Sequence, residues 1–498
     1  MATSLESYFY LSSSNHANNE SGPIVLPRET EVAEKQDKSL LRVASALAFI
    51  CVRDQKEVYA VAIRFSGQSS VIFLAENYGV PRETEIFLET VVSELGQLAR
   101  SQPSREEPPN LRDTVQASDE TPIGTLILKH TFPKFFSSLT KRDSTWDARV
   151  ASIRVYLAER SRDLKLFQII LQQIGVIYRS ASLLQSRSND ALQMNRRLTA
   201  LYGDLSTLET FIRRSNERDE LARLLAEIDR TSRGLPAEPD SIIEDDLDLD
   251  LTENNTLKDG FSMTRFIFRI IAVNIHIRRL LRLAVSPTYK SFFDNYPIIK
   301  YCPPVERSAV VDPSSLLKTM NAHEGVVTKY ELPETITGPL HAELSIFSTL
   351  LQESFSGESP YPAIGVSKLS CVGCYAIIAK AFPQVIKEHE GQMGSMNPFI
   401  IQGTHGKMYW PWVAPDLSFA THFLPFDLDL SMRIAADQYL REALAQYIDS
   451  RCLSDSSIGS GTSDRLEGVG DFAETAMQLA EIRDREISEE LAQLDGMI

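Results

Sequence analysis

Apolar positions along the chain switch between two periods. From Ser39, "SLLRVASALAFICV" spaces them as a helix does; "EVYAVAIRF" and "SSVIFLAEN" then alternate as two strands about a Ser-Gly-Gln turn, and "ETEIFLETVVSELGQLA" returns to the helical period. The pattern predicts a helix, a hairpin and a helix. Residues 101–122, containing "SQPSREEPPNLRD", read as a polar linker, and 146–230 is almost continuously helical in pattern. An acidic linker over 236–258 follows, where crowded carboxylates repel one another and resist packing. The next helix, "SMTRFIFRIIAVNIHIRRLLRLAV", carries Arg265, Arg269, Arg278, Arg279 and Arg282. Its charged face has two readings, the solvated side of an interdomain helix or a nucleic-acid contact. Beyond residue 430 the pattern gives a helix, "MRIAADQYLREALAQYI", a Ser/Gly linker at 453–465 and a last amphipathic helix at 471–495. The first 38 residues are rich in Ser, Asn and Glu without a sustained period, and read as a disordered tail.

A chain of 498 residues with 43% hydrophobic and 24% charged positions is globular in composition and long enough for several domains. It holds no apolar run of about 18 residues, and its start lacks the basic-then-apolar order of a secretory signal. The expectation is an intracellular protein, cytoplasmic or nuclear, with no membrane partner. Five irregularly spaced cysteines make no disulfide framework and would stay reduced there, available as thiolate ligands. A net charge of −16 argues against broad, sequence-independent affinity for phosphate backbones.

One pair of segments carries chemistry. In "GPLHAELSIF", Pro339 is placed to start a helix running from about 340 to 353, with His341 and Glu343 in its first turn. In "PAIGVSKLSCVGC", "PAIGVS" reads as a buried strand, and Ser370 is placed to cap a helix whose first turn holds Cys371 and Cys374. Two sulfurs three residues apart on one turn face the same point, and the unpaired N–H groups there favour thiolate. Two thiolates and an imidazole make three zinc ligands; a fourth position left to water marks a catalytic rather than a structural zinc. Glu343 would then be the base beside that water. The competing readings are a redox dithiol, or a structural zinc closed by His405. Cys51, Cys302 and Cys452 have no metal spacing and read as ordinary thiols.

The order His-Ala-Glu followed by Ser-Cys-Val-Gly-Cys, each opening a helix after a strand, resembles the zinc-dependent cytidine deaminase-like superfamily, whose signature is H-x-E then P-C-x-x-C. Together with "GTHGKMYWPWVAP", these segments look like an expanded fungal branch of predicted nucleic-acid or nucleotide deaminases related to polymorphic toxins. The resemblance spans residues 325–425. It implies a three-layer α-β-α sandwich with a mixed sheet, zinc on His341, Cys371 and Cys374, and Glu343 as proton shuttle. Ser370 departs from the pattern, standing where most of the superfamily has proline. The fold also needs a helix and hairpin before the H-x-E helix, and residues 257–335 offer only one strand, "VVTKYEL". The hairpin at 39–80 supplies them, so the expected architecture is an α/β deaminase-like domain split into 39–80 and 325–425. A large, mainly helical insertion over 81–324 interrupts it, and helices over 426–498 follow. Asn77, at the end of the second strand, stands where many members contact the ribose; its plainer reading is a turn residue before Gly79. His405 and Trp410 are candidates to line the base pocket; the plainer reading of Trp410 and Trp412 is packing at a sheet edge.

The expected function is zinc-dependent hydrolytic deamination of a nucleobase in a nucleotide or single-stranded nucleic acid. The rival is an inactive zinc-binding scaffold that meets protein partners through its helical insertion and C-terminal helix. Glu343 separates the two, because a structural metal has no use for a base.

Overall fold

In the computed structural model the described residues are 35–66, 69–101, 117–140, 146–185, 190–214, 218–233, 262–286, 289–310, 335–357, 363–393, 396–401, 403–404 and 412–456. The disordered-tail reading of 1–34, the strand "VVTKYEL", the acidic linker, the last amphipathic helix, His405 and Trp410 lie outside them. The described residues fall into two compact units, one drawn from 35–134 and 272–451, the other from 135–233, 262–271 and 452–456.

The first unit is built on a five-stranded mixed sheet. Helix α1 (Lys35–Cys51) leads into β1 (Tyr59–Ser66) and β2 (Ser69–Glu76), an antiparallel hairpin in register from Tyr59 opposite Glu76 to Ser66 opposite Ser69. β1 also pairs antiparallel with β6 (Ala363–Val366), which pairs in parallel with β7 (Ile400–Ile401). On the other side β2 pairs in parallel with β3 (Ile298–Tyr301), giving the order β3-β2-β1-β6-β7.

Successive strand residues point to opposite faces, so each strand serves two layers. Ala60, Ala62, Val71, Phe73, Ile364 and Val366 join one buried cluster with Leu344, Phe347, Leu350 and Leu351 of helix α10 (Ala342–Phe355). Gly365 points the other way and lies against the backbone of α1 at Ala44 and Ser45. Phe347 meets Phe382 and Phe399 edge-on at 5.2 and 5.5 Å, the preferred geometry for aromatic rings in a core. The result is the α/β architecture expected, a mixed sheet covered on both faces.

Between β2 and β3 the chain forms α2 (Arg82–Ser101), α3 (Ala117–Thr140), α4 (Trp146–Tyr156), α5 (Ser161–Gln185), α6 (Ala191–Arg214), α7 (Arg218–Arg233), α8 (Met263–Val285) and α9 (Lys290–Asp294). The second unit has helices and no strand among its described residues, with Leu166, Ile170, Ile174, Ile177 and Leu184 buried along α5 at helical spacing. In it Asp229 accepts hydrogen bonds from the Ser262 hydroxyl and the Met263 N–H, fixing the start of α8.

Residues 257–335 differ from the single-strand expectation. β3 extends the central sheet from inside that stretch, and β4 (Glu306–Val310) pairs antiparallel with β5 (Thr335–Pro339) as a separate two-stranded sheet. Residues 82–134 and 272–310 therefore group with the sheet rather than with the helical unit. The chain closes the first unit with α11 (Val372–Tyr375), a π-helical turn over Ala376–Ala381, α12 (Phe382–Glu388) and α13 (Leu428–Ser456). Among the described residues no helix is long and apolar enough to cross a membrane.

Candidate metal centre

Three elements bring the site together at the ends of β2 and β6. β5 runs through Pro339, which ends a strand instead of starting the helix, and two residues later His341 takes the N-cap position of α10 in an extended conformation. Glu343 follows in the first turn, its residue only 3% exposed. After β6, Cys371 rather than Ser370 is the N-cap of α11, and its sulfur accepts the Cys374 N–H at 3.5 Å. Ser370 instead forms a parallel bridge with Thr404, whose hydroxyl donates to the Ser370 carbonyl at 2.9 Å. The segment between β6 and the Cys pair is fixed to the hairpin by a reciprocal pair of bonds: the Ser367 N–H donates to the Tyr59 carbonyl at 2.9 Å, and the Tyr59 N–H donates to the Ser367 hydroxyl at 3.0 Å.

The donor atoms form a near-equilateral triangle. Cys371 Sγ and Cys374 Sγ each lie 3.4 Å from His341 Nδ1 and 3.3 Å from one another. Among the described residues these three are the one group of His, Cys, Asp or Glu side chains whose atoms could hold a metal ion. Zinc bonds of about 2.3 Å to sulfur and 2.0–2.1 Å to nitrogen would set tetrahedral ligands about 3.6–3.8 Å apart, so a few tenths of an ångström of opening accommodates the ion.

The charges point the same way. Burial alone would push the Cys371 thiol up, but hydrogen bonds from Cys374 and His341 and the charge of the imidazole pull it well below the ordinary thiol range. Burial pushes Cys374 well up, and the neighbouring Cys371 thiolate adds to the rise, while the nearby Trp412 indole opposes it. Burial disfavours the His341 imidazolium, yet the charge and hydrogen bond of Cys371, with Glu343, more than offset this and raise it. The pair thus holds one thiolate and one thiol, and a divalent cation is what allows both to ionise. The donor set fits the metal.

Burial raises the Glu343 carboxyl to about 7, against the lowering influence of the His341 charge. The Ser370 hydroxyl, fully buried and without a hydrogen-bond partner within 3.5 Å, lies close enough to oppose that rise. Asn77 reaches the site from β2: its Oδ1 accepts the N–H of Ala342 at 2.9 Å, between His341 and Glu343. Asn77 is a turn residue before Gly79, as its plainer reading has it, and its side chain also ties the hairpin to the start of α10. Trp412 belongs to the same surroundings. It is completely buried and lies close enough to Cys374 to oppose the rise of that thiol. Its Trp-Pro-Trp setting was the available signal, but spacing alone does not say which indole turns inward.

Residues 340–416 match the model of the OTT_1508-like deaminase family, a segment that holds His341, Glu343, Cys371, Cys374 and Trp412. The match is consistent with membership of the cytidine deaminase-like superfamily. No curated protein and no solved structure matches the chain.

Proposed function

We propose that the deaminase-like segment, completed by the hairpin and helix of residues 39–80, is a zinc-dependent hydrolytic deaminase acting on a nucleobase in a nucleotide or single-stranded nucleic acid. One observation carries the reading: a buried carboxyl, Glu343, stands two residues from His341 beside a three-donor cluster that leaves a tetrahedral ion one position short. A purely structural centre gains nothing from that carboxyl, which costs free energy to bury.

Zinc, held by His341, Cys371 and Cys374, would supply a water activated near neutral pH. The chain's own residues do the rest. Glu343, held near neutrality by burial, accepts a proton at its carboxylate and returns protons to the ring nitrogen and the leaving amino group. Water oxygen bonds to C4 of a cytosine or C6 of an adenine, the exocyclic C–N bond breaks, and ammonia leaves. Asn77 holds the start of α10 and keeps its amide N–H2 for the sugar; the closed core beneath excludes bulk water from the carboxyl.

The test is metal analysis of the purified chain with ammonia release from a panel of nucleosides, nucleotides and single-stranded oligonucleotides, beside Glu343→Ala. One zinc per chain and release that disappears in Glu343→Ala is the expected result. One zinc with no release from any substrate would replace the enzyme by an inactive zinc-binding scaffold, and no zinc would remove both readings.

A further inference from the structure

The turn after β2 carries a feature that the proposed chemistry does not use. Tyr78 follows Asn77 and is 74% exposed, the most exposed of the large hydrophobic side chains among the described residues. Among those residues its ring stacks on no aromatic side chain and its hydroxyl has no hydrogen-bond partner. Its backbone is fixed tightly. The Tyr78 N–H donates to the buried Glu76 carboxylate at 2.6 Å, and the Gly79 N–H closes the turn on the Glu76 carbonyl at 3.2 Å. Gly79 has φ +100°, and a Cβ there would stand 3.1 Å from Pro304 Cγ, so the turn is braced from behind and accepts only glycine. A rigid turn thus holds a bare aromatic ring in solvent one residue from the side chain that touches the start of α10.

We propose that Tyr78 is a stacking platform for the nucleotide flanking the target base, which makes single-stranded nucleic acid, rather than a free nucleotide, the substrate class of this site. The inference rests on the deaminase reading above. Asn77 bonds the start of α10 between His341 and Glu343, so Tyr78 directly follows the residue that would meet the target's sugar. With the target's sugar at Asn77, the neighbouring base reaches the Tyr78 ring, whereas a mononucleotide has nothing to lay there. Every base offers a π-face, so such a platform binds without reading sequence. Pro81, Pro304 and Val305 are exposed near it in the sequence or against the turn, small surfaces next to what a protein interface requires. The nearby charges are largely paired, Arg53 with Glu83 and Arg82 with Glu85. Affinity therefore comes from stacking more than from phosphate contacts, and its salt dependence is shallow.

The experiment measures binding of a short, fluorescently labelled single-stranded oligonucleotide to the full chain by anisotropy, for wild type, Tyr78→Ala and Tyr78→Phe, with zinc content recorded for each. Expected are about tenfold weaker binding in Tyr78→Ala, wild-type affinity within about twofold in Tyr78→Phe, and unchanged KM for any mononucleotide that reacts. Wild-type oligonucleotide affinity in Tyr78→Ala, an equal loss in Tyr78→Phe, or equal weakening toward mononucleotides would overturn the proposal. Binding is read without turnover, so absent ammonia release refutes the deaminase reading alone, while this affinity series decides the platform.

Discussion

Replacing Gly365 by alanine tests the packing that ties the N-terminal helix to the strand before the cysteines. The new Cβ would stand 2.1 Å from Ser45 N and 2.2 Å from the Ala44 carbonyl carbon, both backbone atoms of α1. Unbonded heavy atoms settle at about 3.5–4.0 Å, so α1 must retreat by more than about 1 Å. A gap of that size forfeits roughly a quarter to a half of each dispersion contact it opens, and the buried residues Val43, Leu47 and Ile50 sit on the retreating helix. Overpacking ordinarily costs about 1–3 kcal/mol, and a clash with two backbone atoms falls at the upper end. At about 2–4 °C per kcal/mol, Gly365→Ala should lower the Tm of the sheet-bearing unit by roughly 6–12 °C. β6 leads directly to Cys371, so metal retention should fall as well. Gly175→Ala is the control: its Cβ meets nothing within 4 Å on α5, and the same substitution there should stabilise the helical unit by about 0.5–1 kcal/mol. Scanning calorimetry of both variants decides the matter. A Gly365→Ala protein melting within about 1 °C of wild type would refute the close approach of α1 to β6.

Asn77→Ala removes the acceptor for the Ala342 N–H and should cost about 1–2 kcal/mol in urea unfolding, whereas Asn77→Asp keeps an acceptor and most of that stability; equal losses in the two would refute the assigned bond. His130 stacks on Phe87 with centroids 3.7 Å apart and donates from Nε2 to the Cys51 carbonyl, and burial lowers its pKa to about 4 despite that acceptor. The unfolded imidazole binds its proton near pH 6.5, so the stability from neutral His130 is complete above that pH and declines as pH falls toward 4. The loss should be about 2 kcal/mol at pH 5, and His130→Phe should flatten the urea midpoint between pH 7 and 5; an unchanged pH dependence would count against it. Phe347→Ala removes the ring packed between Phe382 and Phe399 and should cost about 3–5 kcal/mol, with a cost under 1 kcal/mol refuting the core assignment.

The sequence revealed elements more readily than contacts. The hairpin was legible because "YAVAIRFS" and "SSVIFLAE" are rich in apolar residues on both faces and stand only two residues apart in sequence, and the helices of 146–230 because their apolar spacing is regular. β3 was not, since "IIKY" is four residues long and sets two isoleucines side by side, which shows no alternation in sequence; its place is set by pairing with β2. The metal donors were legible because His341 and Glu343, and Cys371 and Cys374, are each close in sequence and bound to one helix start. Asn77 bonds a residue 265 positions away and Trp412 meets Cys374 through the tertiary fold, and neither contact has a local signature. Ser370 illustrates a finer limit. A serine before a helix suggests a cap, but the cysteine sulfur one position on accepts the helix N–H instead.

The most direct test of hydrolytic deamination is to run the reaction in heavy-oxygen water and weigh the product base by mass spectrometry, in wild type and in Glu343→Gln. The account predicts one solvent oxygen in the base for each ammonia released by wild type, and neither from Glu343→Gln with its zinc retained. Ammonia without solvent oxygen in the base, or a Glu343→Gln protein as active as wild type, would contradict it.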